Sequence, residues 1–92
     1  MLYAIAYDIA DDKRRVRLAK MLEDFGDRVQ YSLFEAVLHK SDELAELERR
    51  IWAVIDPEED SVRIYALCRQ CEGALRHFGI STPTRIDDAY IL

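Results

Sequence analysis

Residues 2–9, LYAIAYDI, form a nearly unbroken apolar and aromatic run that is interrupted near its end by one carboxylate, Asp8. The run is far shorter than the roughly 20 residues that span a bilayer. Its length and content suit a central strand buried on both faces. The rest of the chain must therefore supply neighbours for that strand.

Asp11 and Asp12 offer an N-cap and first-turn negative charge for a helix that runs to about Phe25. Leu18, Met21, Leu22 and Phe25 share one face of it, and Gly26 is the expected stop. Lys13, Arg17 and Lys20 fall on a second, wet face. Residues 28–38, RVQYSLFEAVL, are strand-like, but their alternation changes phase near Phe34. They read as one bent strand or as two strands, with no Gly, Asn or Pro turn to decide. Ser41, Asp42 and Glu43 open a second helix with Leu44, Leu47, Ile51 and Val54 as its apolar stripe. Glu46 and Arg50 suit an i,i+4 pair. Asp56-Pro57 ends the helix. Residues 61–68, SVRIYALC, are another strand, and residues 86–91 are a candidate last one.

The order β-α-β(β)-α-β predicts an α+β, ferredoxin-like βαββαβ fold, with helices on one face of an antiparallel sheet. The other face needs a cover, and a second copy of the chain is the simplest one. At 92 residues the chain is expected to be one domain, 1–92. The N-terminus lacks a basic segment before its apolar run, so a cytoplasmic, non-membrane protein is expected. The net charge of −5 argues against indiscriminate binding to nucleic acid. The distribution qualifies this: Lys13, Arg14, Arg15 and Arg17 make a basic cluster, and Asp56 to Asp60 make an acidic loop.

Asp8 is the first candidate for chemistry. A carboxylate closing a buried strand must be hydrogen-bonded, paired or metal-bound. It either caps the turn into the first helix or binds magnesium. Magnesium is commonly held by one or two carboxylates plus water and substrate phosphate. A two-fold axis near Asp8 would bring the second carboxylate, and the metal could activate water for phosphodiester hydrolysis. Arg14, Arg15 and Arg17 are either a solvated helix face or phosphate contacts. Arg28 with Phe34 is either a base-stacking pair or a cation beside a core ring. Cys68 and Cys71 form a lone CxxC without zinc-finger partners in His39 or His77. Two reduced thiols packed at a strand end are the simpler reading, beside metal or redox use.

The segments YAIAYDIADDKRRVRLAKML at 3–22, RVQYSLFEA at 28–36 and SVRIYALC at 61–68 together resemble the CRISPR-associated Cas2 family, over roughly residues 1 to 80. The strand end Tyr7-Asp8-Ile9 and the segment from Gln30 to Glu35 carry most of that resemblance. It implies a homodimer in which a C-terminal segment, residues 80–92, adds a strand to the partner chain's sheet. It also implies that Asp8 associates with magnesium across the dimer interface and that Arg15, Arg17 and Arg28 handle nucleic acid. Ser32 and Phe34 match the family's Ser-x-Phe pattern. The function expected from the resemblance is CRISPR adaptation, with metal-dependent endonuclease activity on RNA or double-stranded DNA and a scaffolding role in spacer acquisition. The alternatives are a non-catalytic scaffold bridging the CRISPR integrase and protospacer DNA, a toxin-like ribonuclease of similar fold, and a small-molecule regulatory domain.

Overall fold

The computed structural model describes residues 1–79. Four strands and two helices follow the expected order, β1 (Leu2–Asp8), α1 (Asp12–Leu22), β2 (Gly26–Gln30), β3 (Leu33–Val37), α2 (Ser41–Val54) and β4 (Ser61–Leu67), and a short third helix, α3 (Arg69–Gly73), was not expected. The sheet order is β2-β3-β1-β4, and every neighbouring pair is antiparallel. The apolar run is thus central, with Ile5 opposite both Phe34 and Ile64.

Alternation along β1 sends Ile5 and Tyr7 into a core shared with Leu18, Leu22, Phe34, Ala36, Leu47 and Ile51. Both helices therefore cover the same face of the sheet. The opposite face carries Ala4, Ala6 and Asp8 of β1, Leu33, Glu35 and Val37 of β3, and Arg63 and Tyr65 of β4. The expected burial of β1 on both faces holds on the helix side, and on the other face is complete only at Leu2. Ala4 and Ala6 remain half-buried on the open side.

α1 begins where expected: the Asp11 side chain accepts from the Arg14 N–H at 2.9 Å. The helix ends at Leu22, three residues before Phe25. Tighter i→i+3 bonds, Asp24 N to Met21 O and Phe25 N to Leu22 O, close its last turn. Residues 28–38 resolve into two strands joined by Tyr31-Ser32. A register shift between Arg28 and Gln30 absorbs one residue, so the turn is made with no positive φ outside glycine among the described residues. The phase change near Phe34 follows the break between the two strands.

The α2 stripe is confirmed, with Leu47 and Ile51 buried. Its charge pairing differs from expectation. Glu46 bonds Arg49, one residue short of Arg50, at 2.6 Å. Arg50 instead reaches Asp24 at 2.9 Å and lies 5.3 Å from the Phe25 ring centroid. The long side chain is drawn across to the end of α1, where a ring and a carboxylate both receive it. β4 ends at Leu67, one residue before Cys68, and the polar stretch that follows forms α3. The expected strand at 86–91 and the dimer-exchange segment 80–92 lie outside the described residues.

Gly26 is the first residue of β2 and takes no part in capping α1. A Cβ built there would sit 2.0 Å from the Glu35 carbonyl oxygen and 2.7 Å from the Ala36 Cα. Both contacts are backbone, so the two strands would have to separate. Gly26→Ala is expected to destabilise the protein by about 1–3 kcal/mol. Urea denaturation with an unchanged m-value is the check. An unchanged midpoint would mean that β2 shifts freely.

Candidate functional site

The site is built where β1, the start of α1, the β2–β3 turn and the loop before β4 converge. Asp8 ends β1 on the open face of the sheet, opposite Ser61 of β4. It is exposed, so the burial argument made for it from the sequence does not hold. The acids around it are committed elsewhere. Asp11 caps α1, Asp12 pairs with Arg15, and Asp60 holds Arg14. The Asp8 side chain makes no hydrogen bond or ion pair among the described residues, and the capping role once open to it belongs to Asp11.

Arg14 is not available for phosphate. Its Nε donates to Asp60 Oδ2 at 2.8 Å, and its Nη2 reaches Glu59 Oε1 at 3.2 Å. The basic cluster and the acidic loop, distant in sequence, thus meet. The Asp60 side chain is fully buried and also accepts from the Ala10 N–H at 2.9 Å and the Asp56 N–H at 2.8 Å. Arg14, and secondarily those two amides, hold the Asp60 carboxyl well below the usual carboxylate range. Sequence reading passed over Asp60; the opposite charges of the two segments were its only signal.

Arg15 is half-engaged. It pairs with Asp12 and donates from Nη2 to the Ile9 carbonyl at 2.9 Å, beside Asp8 in the chain. This bond ties the start of α1 to the end of β1. Arg17 is exposed and makes no ion pair among the described residues. Arg28 is exposed at the edge strand, its guanidinium 5.6 Å from the Phe34 ring centroid.

Phe34 is a correction. Its side chain is fully buried, and its ring packs 6.2 Å from that of Tyr7. Alternation in β3 points it at the helices, so it offers no face to a base. The exposed aromatic is Tyr31, 71% accessible at the tip of the β2–β3 turn. Sequence reading missed it because no turn residue marked that tip. Tyr7 is buried and its hydroxyl donates to the Tyr31 carbonyl at 3.2 Å. The Ser32 carbonyl accepts from the Tyr7 N–H at 3.1 Å. Tyr7 and Ser32 therefore fix the turn against β1. Cys68 and Cys71 are exposed, free thiols rather than packed ones. They stand after the opposite, C-terminal end of β4, away from this site.

An exposed carboxylate at the end of the central strand of a four-stranded antiparallel sheet, with two helices on one face, defines a small α+β protein of ferredoxin-like fold. Residues 1–74 match the family described as CRISPR associated protein Cas2. The chain belongs to that family. It is 53% identical over 66 residues to a Synechocystis protein named CRISPR-associated endoribonuclease Cas2 3, covering 72% of this chain and 71% of the relative. The crystal structure of Streptococcus pyogenes Cas2 at pH 6.5 superposes with a TM-score of 0.75 at 30% identity, covering 86% of this chain and all of that one. A chain from a structure described as a partial Cas6-RT-Cas1--Cas2 complex superposes with a TM-score of 0.69 at 36% identity, over 76% and 81% of the two chains. No helix among the described residues is long and apolar enough to cross a membrane.

The depressed Asp60 carboxyl sets an acid limit. The unfolded chain takes up this proton near pH 4, while the folded chain resists it to lower pH. The clamp's contribution to stability is thus complete above about pH 5 and is lost as pH falls below about 4. Asp60→Asn is expected to lower stability at neutral pH and to flatten the fall between pH 5 and pH 2. Urea midpoints measured across that range test this, and parallel curves for the two proteins would refute it.

Proposed function

We propose that this protein is a CRISPR adaptation protein that acts as a homodimer on nucleic acid, with Asp8 as the metal-binding acid of a phosphodiesterase site. The carrying observation is Asp8 itself: an uncommitted, exposed carboxylate at the corner of an open sheet face, among neighbouring acids that all have partners. The apolar part of that face, Ala4, Ala6, Leu33 and Val37, suits a second copy of the same sheet. Such packing brings the two Asp8 side chains to a common interface.

The donor set fits magnesium in one respect. A single carboxylate, doubled by symmetry, leaves the remaining positions to water and phosphate oxygen, as that ion prefers. When bound, it would supply charge neutralisation at a phosphate and a more acidic water. The chain's own residues do the rest. Arg17 and Arg28 present free guanidinium forks for phosphate oxygens. Arg15 orients the Asp8–Ile9 backbone through the Ile9 carbonyl. Tyr31 offers a ring for a base of a single strand to stack on, one of the two roles the sequence left open for Phe34.

A non-catalytic scaffold is the second reading. It is favoured by the absence, among the described residues, of any group of three His, Cys, Asp or Glu side chains able to hold a metal. It is favoured also by the likeness to a chain of a Cas1--Cas2 complex. In that reading the partner is the Cas1 integrase, and the same arginines hold protospacer DNA without cutting it. Family membership leaves no support for the toxin-like or small-molecule alternatives.

Asp8→Asn is expected to reduce magnesium-dependent cleavage of single-stranded RNA or double-stranded DNA by about 100-fold or more, with an unchanged melting temperature. Full residual activity would remove the nuclease reading, and a strictly monomeric protein in light scattering would remove it too. Retained binding to Cas1 and DNA by the same variant is the result that favours the scaffold.

The arginines separate by binding. Arg17→Ala and Arg28→Ala are each expected to weaken nucleic-acid affinity and to lower the salt slope by about 1. Arg14→Ala is expected to lower thermal stability instead. A salt slope changed by Arg14→Ala and not by Arg17→Ala would reverse the assignment.

A further inference from the structure

Where β4 ends, the chain turns directly into α3, and its two cysteines stand either side of that first turn. They are the only cysteines in the sequence. Both are exposed and both are free thiols. Their Sγ atoms lie 3.3 Å apart, and the Cys71 N–H donates to Cys68 Sγ at 3.4 Å. Exposure removes the ordinary explanation of a cysteine as a small core hydrophobe. No third metal-ligating side chain joins them among the described residues. Two thiols in contact at the surface retain one chemistry that needs no further ligand, the exchange of a disulfide.

We propose that Cys68 and Cys71 form a reversible dithiol–disulfide centre that exchanges with small-molecule disulfides. In the first step the Cys68 thiolate attacks one sulfur of the small disulfide. A protein mixed disulfide forms, and one small thiolate leaves. In the second step Cys71 gives up its proton to solvent and attacks Cys68 Sγ. The intramolecular disulfide forms and the second small thiolate leaves. Two electrons pass from the cysteine pair to the small disulfide, which is released as two thiols. The two sulfurs need to close to a bond of about 2.05 Å, a movement within reach of a χ1 adjustment at either side chain.

The order of the two cysteines follows from their surroundings. The Cys71 N–H, and then the Cys71 thiol, hold the Cys68 thiol below its ordinary pKa. Cys68 in turn raises that of Cys71. Cys68 is the attacking sulfur and Cys71 the resolving one. The product closes a ring from Cys68 through Arg69 and Gln70 to Cys71, and it staples the first turn of α3 at the end of the edge strand.

The test uses the full, reduced chain and oxidised glutathione as the probe, followed by intact mass and peptide mapping. The expected product has lost the mass of two hydrogen atoms, maps to a Cys68–Cys71 link and is restored by a dithiol reductant. Cys71→Ser is expected to stop at one glutathione adduct, formed at close to the initial wild-type rate. Cys68→Ser is expected to form its adduct about 10-fold more slowly. A wild-type product carrying glutathione on both cysteines, a link between two chains, or no reaction would each overturn the proposal. Equal adduct rates in the two variants would overturn the assigned order.

Discussion

One buried carboxylate organises the end of the molecule on which the site is built. Asp60 follows α2 and precedes β4, yet its oxygens hold the amide of Ala10, the amide of Asp56 and the guanidinium of Arg14. Three segments are thereby joined at one point: the β1–α1 junction, the loop after α2 and the start of β4. Burying such a charge is unfavourable unless its lone pairs are filled, and here backbone donors and a cation fill them. Asp8 stands two residues before the clamped amide. Its position relative to Arg15 and to the β2–β3 turn depends on that anchorage.

The clamp also sorts the basic cluster. Consecutive arginines look equivalent on paper, but a helix turns each by about 100° from the last. Arg14 is directed to the acidic loop, Arg15 to its own helix start and the Ile9 carbonyl, and Arg17 to solvent. One run of like charge therefore performs three tasks: fastening a loop, fixing a strand end and facing outward. The same division applies to the aromatics. Tyr7 and Phe34 pack with each other in the core, whereas Tyr31 stands out at the turn that Tyr7 braces.

The open face of the sheet links stability to function. Helices α1 and α2 cover one side only, and the short α3 follows the end of β4. The remaining face is small and partly apolar at its centre, with Asp8 at one corner and Arg63 and Tyr65 along the β4 edge. A surface of this kind is uncomfortable in water and self-complementary under two-fold symmetry. The dimer proposed for function thus answers a packing requirement as well.

Much of this protein is determined by local pattern alone. The apolar run, the Asp11 cap and the stripe Leu47–Ile51 specify element type and order, because period and capping are properties of neighbouring residues. Family resemblance in the segments around Asp8 and Ser32 is likewise legible in one dimension. The tertiary structure decided what depends on distant segments meeting. It placed Phe34 inside, because pairing with β1 sets it beside Ile5 on the helix-covered face, and Tyr31 outside, because it lies in the turn between β2 and β3. It withdrew Arg14 from the solvent, because Asp60, 46 residues away, lies opposite it. It left Asp8 uncommitted and brought two thiols into contact at the surface. Charge and burial at each of these positions are set by neighbours across the fold, which spacing along the chain does not encode.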